Sequence, residues 1–471
     1  MDQWNRRPTL SLPPYYRPLL GFSLALMAGC QALPQTDVPA DAARASGVAD
    51  AIVIQTDEQP LDADPVGDGL LTPPQAVRLS IRHDPRIQAA LARVRVALAE
   101  ASQTRLLPNP VLNLSWRFPE GGGPAVFETM LSGDLVSLLS KPGQISAADK
   151  RLRAAAADAV TSVLDVLHEV QETYAAVQSA DAEVAIIENR AAIIQRLRDL
   201  ADARLRAGEG IRLDVLTLDA QRSEIAVELL QRRLERTEKR LTLSRLIGAP
   251  SGAADWKLSP WQPPPPVRAP EAAWLNAALF KRPEIRSHVW ELAALGDDLA
   301  LTALSPFEGG DIGPHAERDA SWVVGPDITT PLPIFDFGQH RKAKAQAQQQ
   351  VARHELLQLR REIIEEVRRA YASYAASRAA LDQAQTELLP LQEKRREQAE
   401  LAYRAGEADL TTLLLAETDL QESRGRLVEL QELVTVAMLK LDRAVGGAGV
   451  GRIVESSPPT TLPATTRPGL K

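Results

Sequence analysis

The chain has almost no cysteine, few aromatics and no block of basic residues, and each shortage excludes something. One Cys in 471 residues excludes an intrachain disulfide and any cysteine-cluster metal site. The six His show no ligand spacing such as i, i+4; His340, His354 and the others read as solvated helix-face residues, with no metal expected. There is no block of Lys and Arg and the formal net charge is -7, so nucleic acid is not an expected partner. No glycine loop of the kind that cradles phosphate is present. The carboxylates stand beside Arg and Lys along helical faces, as on coiled-coil surfaces. No enzyme and no cofactor is therefore expected. Aromatics make up 4% of the chain, while Ala, Leu, Glu, Arg and Gln crowd the middle of each half, the composition of long helices.

What is present is a repeat. Arg206-Ala207-Gly208-Glu209 returns as Arg404-Ala405-Gly406-Glu407, and Asp84-Pro85-Arg86-Ile87 as Arg282-Pro283-Glu284-Ile285. Glu169-Val170 with Tyr174 returns as Glu366-Val367 with Tyr371, and Ile247-Gly248 as Val445-Gly446. The offset is close to 198 residues throughout. A unit of about 200 residues occurs twice, and it overrides the roughly three domains that length alone suggests. In each copy the Arg-Ala-Gly-Glu glycine lies between a very long helix and a shorter one, where a left-handed residue closes a helical hairpin.

Taken in order, residues 1–30 read as an export signal: Arg6, Arg7 and Arg17, an apolar run from Leu19 to Ala28, then Gly29-Cys30. That run is too short to span a membrane in the mature protein. Leu26-Met27-Ala28-Gly29-Cys30 resembles the bacterial lipoprotein processing box, which makes Cys30 the expected lipid attachment site; the alternative is an ordinary cleaved signal with an incidental Cys. Gln31 stands where inner-membrane lipoproteins carry Asp, which favours the outer membrane. Residues 31–70 read as a flexible tether. Thr72-Pro73 opens a helical segment over 73–107 that Pro108 and Pro110 end. From Val111 to Phe118 the period becomes two: Leu112, Leu114, Trp116 and Phe118 share one face, Val111, Asn113, Ser115 and Arg117 the other. That is a strand with lipid or a core on one side and water on the other, or an edge strand of a small soluble sheet. A less regular strand is expected over 126–139. Near Pro142-Gly143 the helical period resumes and runs to Arg206, roughly 95 Å of helix that must pack side by side with others. A return helix ends near Gly248. Residues 249–270 form a Pro-rich surface linker. The second half then repeats the order, with a helix over 271–304, a weak strand over 308–320 and a better one over 321–335. A long helix follows from Asp336 to Arg404, kinked at Pro390, and then a return helix with Leu413, Leu420, Leu427, Val434 and Leu441 at sevens. The tail at 448–471 reads as disordered.

The twofold repeat, the stretch Pro331-Leu332-Pro333-Ile334-Phe335-Asp336-Phe337-Gly338 and the two Arg-Ala-Gly-Glu turns together resemble the TolC-like outer-membrane efflux family over about residues 71–447. The resemblance implies a mainly α fold with a small β part: two tandem repeats (71–248 and 271–447) of long antiparallel coiled-coil helices with two strands each. It further implies a homotrimer whose α-barrel is continued by a 12-stranded transmembrane β-barrel. The function it implies is the outer-membrane channel of a tripartite efflux pump, lipid-anchored, mostly periplasmic, passively exporting small molecules or metal ions. The implied partners are a periplasmic adaptor protein and an inner-membrane pump. Trp116, Phe118 and Trp322 become candidates for the membrane girdle. The tips Arg206, Ala207, Gly208, Glu209 and Arg404, Ala405, Gly406, Glu407 would dock the adaptor, within Arg206 to Leu213 and Arg404 to Thr411. Many members carry acids six and nine places after the second tip glycine, but here those places hold Thr412 and Leu415. Asp214, six places after Gly208, keeps an acid. The expected gate is mixed: Asp214 attracting cations, beside Thr412 and an apolar constriction from Leu413 to Leu415; Asp214 also reads as a plain exposed helix charge. Two rival readings remain, a periplasmic adaptor lipoprotein and a structural coiled-coil lipoprotein without a pore. If the processing box is used, Cys30→Ser abolishes incorporation of labelled palmitate; unchanged incorporation contradicts it.

Overall fold

The computed structural model describes residues 37–47, 69–118, 120–122, 125–261, 264–318 and 321–456. The export signal with Cys30, most of the expected tether and the chain after residue 456 lie outside them. Two compact units emerge, one built from Leu98–Asp149 and Asp297–Ala343, the other from the remaining described residues.

The first unit holds an antiparallel four-stranded sheet in the order β2-β3-β5-β6. Its strands are β2 (Val111–Arg117), β3 (Val126–Asp134), β5 (Asp311–Arg318) and β6 (Trp322–Thr329). The segment that reads weakest, 308–320, is a full interior strand. Its composition hides it: Pro314 has no amide to donate to a ladder, and glycine is poor in strands. Gly313 is there because the strands touch: a Cβ on it would lie 1.8 Å from the Leu131 carbonyl oxygen. The strand expected over 126–139 ends at Asp134, whose carboxylate accepts hydrogen bonds from the Ser137 amide at 2.8 Å and the Ser137 hydroxyl at 2.5 Å. That cap starts α4 (Leu135–Arg206) seven residues before Pro142, which therefore lies inside the helix and has no amide to donate there. The strand expected over 321–335 stops at Thr329, where prolines follow.

In the second unit, Thr72 caps α2 (Pro73–His83) through a capping box with Gln75. Asp84 interrupts the expected 73–107 helix before α3 (Pro85–Arg105). The second repeat does the same with α6 (Glu271–Lys281), Arg282 and α7 (Pro283–Leu301). The hairpins are α4 with α5 (Arg212–Leu246), and α8 (Gln339–Gln383) and α9 (Leu389–Ala405) with α10 (Leu410–Ala444). The irregularity expected at Pro390 takes the form of a π-helical turn, Ala384–Leu388, just before it. A proline removes a backbone donor, and a wider turn absorbs the mismatch. Leu413, Leu420, Val434 and Leu441 are buried, so the sevens on α10 mark a core seam.

Three expectations about connecting segments need correction. The tether contains α1 (Val38–Ser46), capped by Asp37. The linker contains β4 (Lys257–Leu258), which pairs in parallel with β1 (Leu70–Leu71). Trp256 is buried in it, and Tyr174 donates to the Leu71 carbonyl at 2.8 Å while accepting from the Ser259 amide at 3.2 Å. The tail begins with α11 (Ala448–Ser456). Each is too short for periodicity to reveal, and each is held by tertiary contact instead.

The repeat survives as an ion-pair motif with its charges exchanged. In the first copy Asp84 pairs with Arg86 at 2.8 Å, Arg86 with Glu169 at 2.5 Å, and Arg245 with Glu169 at 3.5 Å. In the second, Arg282 stands in the place of Asp84 and pairs with Glu284 at 3.1 Å and with Glu366; Arg443 reaches Glu284 at 2.7 Å. Burial works to raise the Glu284 carboxyl, but the Arg282 hydrogen bond and the Arg443 and Arg282 charges overcome it and hold it at about 2. A carboxyl so depressed contributes stability at pH above its ordinary range, lost as pH falls from about 4.5 towards 2. Glu284→Gln should cost roughly 3 kcal/mol at neutral pH and flatten the acid limb of a pH-dependent circular-dichroism melt. An unchanged acid limb contradicts the assignment.

Candidate functional site: an amphipathic sheet and paired hairpin tips

The register separates the two faces of the sheet. Leu112 lies opposite Leu131, Leu114 opposite Thr129, and Trp116 opposite Phe127. Phe127 lies opposite Arg318 and Thr129 opposite Ala316. Ile312 lies opposite Ile328, Pro314 opposite Pro326, Ala316 opposite Val324, and Arg318 opposite Trp322. Directly opposed residues share a face, so these form one apolar face. Asn113, Ser115, Arg117, Glu128, His315, Glu317 and Asp327 stand on the other, with Val111, Val126, Met130 and Val323 among them. Leu112, Leu114, Trp116, Trp322, Val324 and Ile328 are all exposed, an uncovered apolar surface of the kind that marks an interaction site.

At one end of the apolar face the aromatics assemble across the strands. Trp116 and Phe127 have ring centroids 5.1 Å apart, Phe127 meets Trp322 edge-on at 6.4 Å, and the Arg318 guanidinium lies 5.7 Å over the Trp322 ring. Phe118, just past the end of β2, is exposed. The sequence singled out Trp116, Phe118 and Trp322 but not Phe127, which lies between the two tryptophans. On the polar face Glu128 pairs with Arg117 and, at 3.0 Å, with His315 Nε2.

The tips lie in the helical unit. Gly208 and Gly406 have φ of 81° and 78°, the left-handed conformation. The Glu209 and Gly210 amides donate to the Arg204 carbonyl at 2.9 and 3.1 Å, as the Glu407 and Ala408 amides do to Ala402 at 2.9 and 3.2 Å. Equivalent ion pairs brace both hairpins: Arg206–Asp202 matches Arg404–Glu400, and Arg198–Asp219 at 3.2 Å matches Arg396–Glu417 at 3.1 Å. The structure brings the two tips together. Ile187, Ile194, Val215, Leu218, Tyr403, Leu410 and Leu413 share one core, and the Arg204 guanidinium lies 5.0 Å over the Tyr403 ring. Arg206, Ala207, Gly208, Glu209, Arg404, Ala405, Gly406 and Glu407 all remain exposed.

The gate residues fare unequally. Asp214 is half-buried in the first turn of α5. Leu413 and Leu414 are buried in the shared core, so the apolar constriction expected from Leu413 to Leu415 reduces to the exposed Leu415. Thr412 is exposed, but its hydroxyl and amide donate to Asp409 at 2.6 and 2.9 Å. Those bonds hold the Asp409 carboxyl below its ordinary range and make Thr412 part of a helix cap. Sequence reading missed the outer face of α5: Leu213, Val227, Leu234 and Leu241 fall at multiples of seven, with Leu216 and Leu230 three places on, and all are exposed. The heptad was the available signal.

Residues 293–447 match the model of the outer membrane efflux protein family. No curated protein matches the chain. Among solved structures, the outer-membrane channel OprN superposes with a TM-score of 0.67 at 21% identity, over 80% of this chain and 90% of that one. The outer membrane protein VceC of Vibrio cholerae does so with 0.65 at 19%, over 80% and 96%. The MtrE outer membrane channel of Neisseria gonorrhoeae, in its open state, gives 0.63 at 16%, over 84% and 98%. The chain therefore has the fold of the TolC-like outer-membrane efflux channels.

Replacing Gly208 and Gly406 by Val tests the tips. No atom lies within 4 Å of a Cβ at either position, so the whole penalty is backbone strain, about 1–2 kcal/mol each. The expected result is weaker co-purification of a periplasmic adaptor, with a melting temperature lowered by no more than that strain accounts for. Undiminished co-purification contradicts docking at the tips.

Proposed function

We propose that this chain is one protomer of the outer-membrane channel of a tripartite efflux system, a passive duct for small molecules or metal ions leaving the periplasm. The observation that carries the reading is the four-stranded sheet with an exposed apolar face, a polar opposite face and two unpaired edges, β2 and β6. Among the described residues no helix is long and apolar enough to cross a membrane, so this sheet is the element suited to lipid. An open edge in hydrocarbon costs several kcal/mol per unpaired backbone group. Copies of the sheet joined edge to edge remove that cost. Two copies give eight strands, whose interior side chains fill; three copies of the four strands give twelve, with room for water. The polar face, with Glu128, His315 and Arg117, then lines the lumen, and the Trp116–Phe127–Trp322 row lies at the membrane–water boundary.

The helical unit supports the same assembly. The exposed heptad of α5 is a seam without a partner in the protomer, and a neighbouring copy supplies one. The tips then dock the adaptor, while an inner-membrane pump supplies the energy. Asp214 and Leu415 are the gate residues carried forward. No observation favours the rival readings: an adaptor or a purely structural rod has no use for an amphipathic sheet with an aromatic row.

Detergent-solubilised protein should have the mass of three protomers and conduct ions in a planar bilayer. Leu230→Glu with Leu234→Glu should shift the mass to one protomer and abolish conductance. A stable monomer of the unaltered chain in plain buffer, or a trimer indifferent to the double substitution, counts against the reading.

A further inference from the structure

Nothing in the transport reading requires α11, yet one face of α11 is held against α1, α6 and α10. Gly447, just before it, and Gly449, within it, let α1 lie directly on it. A Cβ on Gly447 would come 2.3 Å from the Ala45 carbonyl oxygen, and one on Gly449 would come 2.1 Å from that of Arg44. Arg452 donates to the Gly47 carbonyl at 2.5 Å. Glu455 accepts from the Arg268 and Ala269 amides at 2.9 and 3.2 Å.

The inner face of α11 covers something unfavourable. Gly451 sits on Asp442 of α10, and a Cβ there would lie 1.9 Å from Asp442 Oδ1 and 3.4 Å from the Trp274 ring. Asp442 Oδ1 is buried and has no hydrogen-bonding partner; the same is true of Trp274 Nε1 and Arg443 Nη1. A small cavity beside them is lined by His168, Gln171, Asp442, Arg443 and Gly447 among others. The charged groups facing Asp442 are Arg452 and Glu455 from α11 and His168 from α4, with Lys440 and Arg443 on its own helix. From α6 comes only the indole of Trp274, and Arg44 of α1 is already paired with Asp41. An unpaired carboxylate in such a place is costly when ionised and tolerable when protonated.

We propose that α11 is a proton-controlled latch: while Asp442 is protonated, α11 and the α1 helix seated on it stay closed over α6 and α10, and ionisation of Asp442 releases them. Burial pushes the Asp442 carboxyl up to about 7 against the charge of Arg452; Glu455 reinforces the rise and His168 opposes it. The closed state therefore binds the proton more tightly than the open one. Closure is fully supported below the ordinary carboxylate range, weakens as pH rises from about 4 to about 7, and changes no further above that.

Hydrogen–deuterium exchange on the full-length assembly, at pH 5, 6, 7 and 8 with intrinsic rates corrected, tests this without reference to transport. Peptides covering 38–47 and 448–456 should lose protection by an amount approaching tenfold per pH unit up to about 7, then level off, while peptides around Leu218 and Leu413 stay constant. Asp442→Asn should remain protected throughout. Wild-type protection that does not vary with pH overturns the proposal, as does a decline that Asp442→Asn retains. The wild-type curve decides alone if the variant fails to fold.

Discussion

Backbone groups that leave water must find partners, and the four-stranded sheet cannot supply all of its own. Its interior strands β3 and β5 are paired on both sides, whereas β2 and β6 each present one unpaired edge. With one face apolar and exposed, the sheet suits lipid, where an open edge is least tolerable. In the proposed channel, that conflict leaves a single chain incomplete. In the proposed barrel, the polar face where Glu128 stands between Arg117 and His315 would line the water-filled lumen.

The helical unit solves a different problem, holding two long hairpins in register. It uses the same device twice. Arg198–Asp219 and Arg396–Glu417 brace the hairpins at the same repeat position, and each tip closes on a left-handed glycine. Where the copies differ, the difference has a cause. Asp84 and Arg86 exchange signs with Arg282 and Glu284, so each pair survives duplication because both partners changed together. The π turn before Pro390 has no counterpart in α4, because the first repeat has no proline there.

Most of the architecture was legible in the sequence because long periodic segments average over local noise. The repeat offset, the Thr72 cap, the alternating face from Leu112 to Trp116 and the tip glycines all read directly. What was not legible depended on contact rather than pattern. The strand β5 contains Gly313 and Pro314, which argue against a strand until the Leu131 carbonyl is seen beside them. The helix α11 contains Gly449 and Gly451 and follows Gly447, a composition of disorder until α1 and Asp442 are placed against it. Leu413 and Leu414 look like a constriction in sequence, but packing with Leu218 and Tyr403 turns them inward. The exposed heptad of α5 was readable and went unread, since a heptad does not say whether its partner lies in the same chain.

Edge pairing can be measured directly by hydrogen–deuterium exchange of the assembled protein in lipid nanodiscs, resolved to the individual strands. If copies close the sheet, the outward-bonding amides of β2 and β6 exchange as slowly as those of β3 and β5. Fast exchange confined to β2 and β6, beside protected β3 and β5, would mean that the edges stay open and that the account of the protein as one part of a closed barrel is wrong.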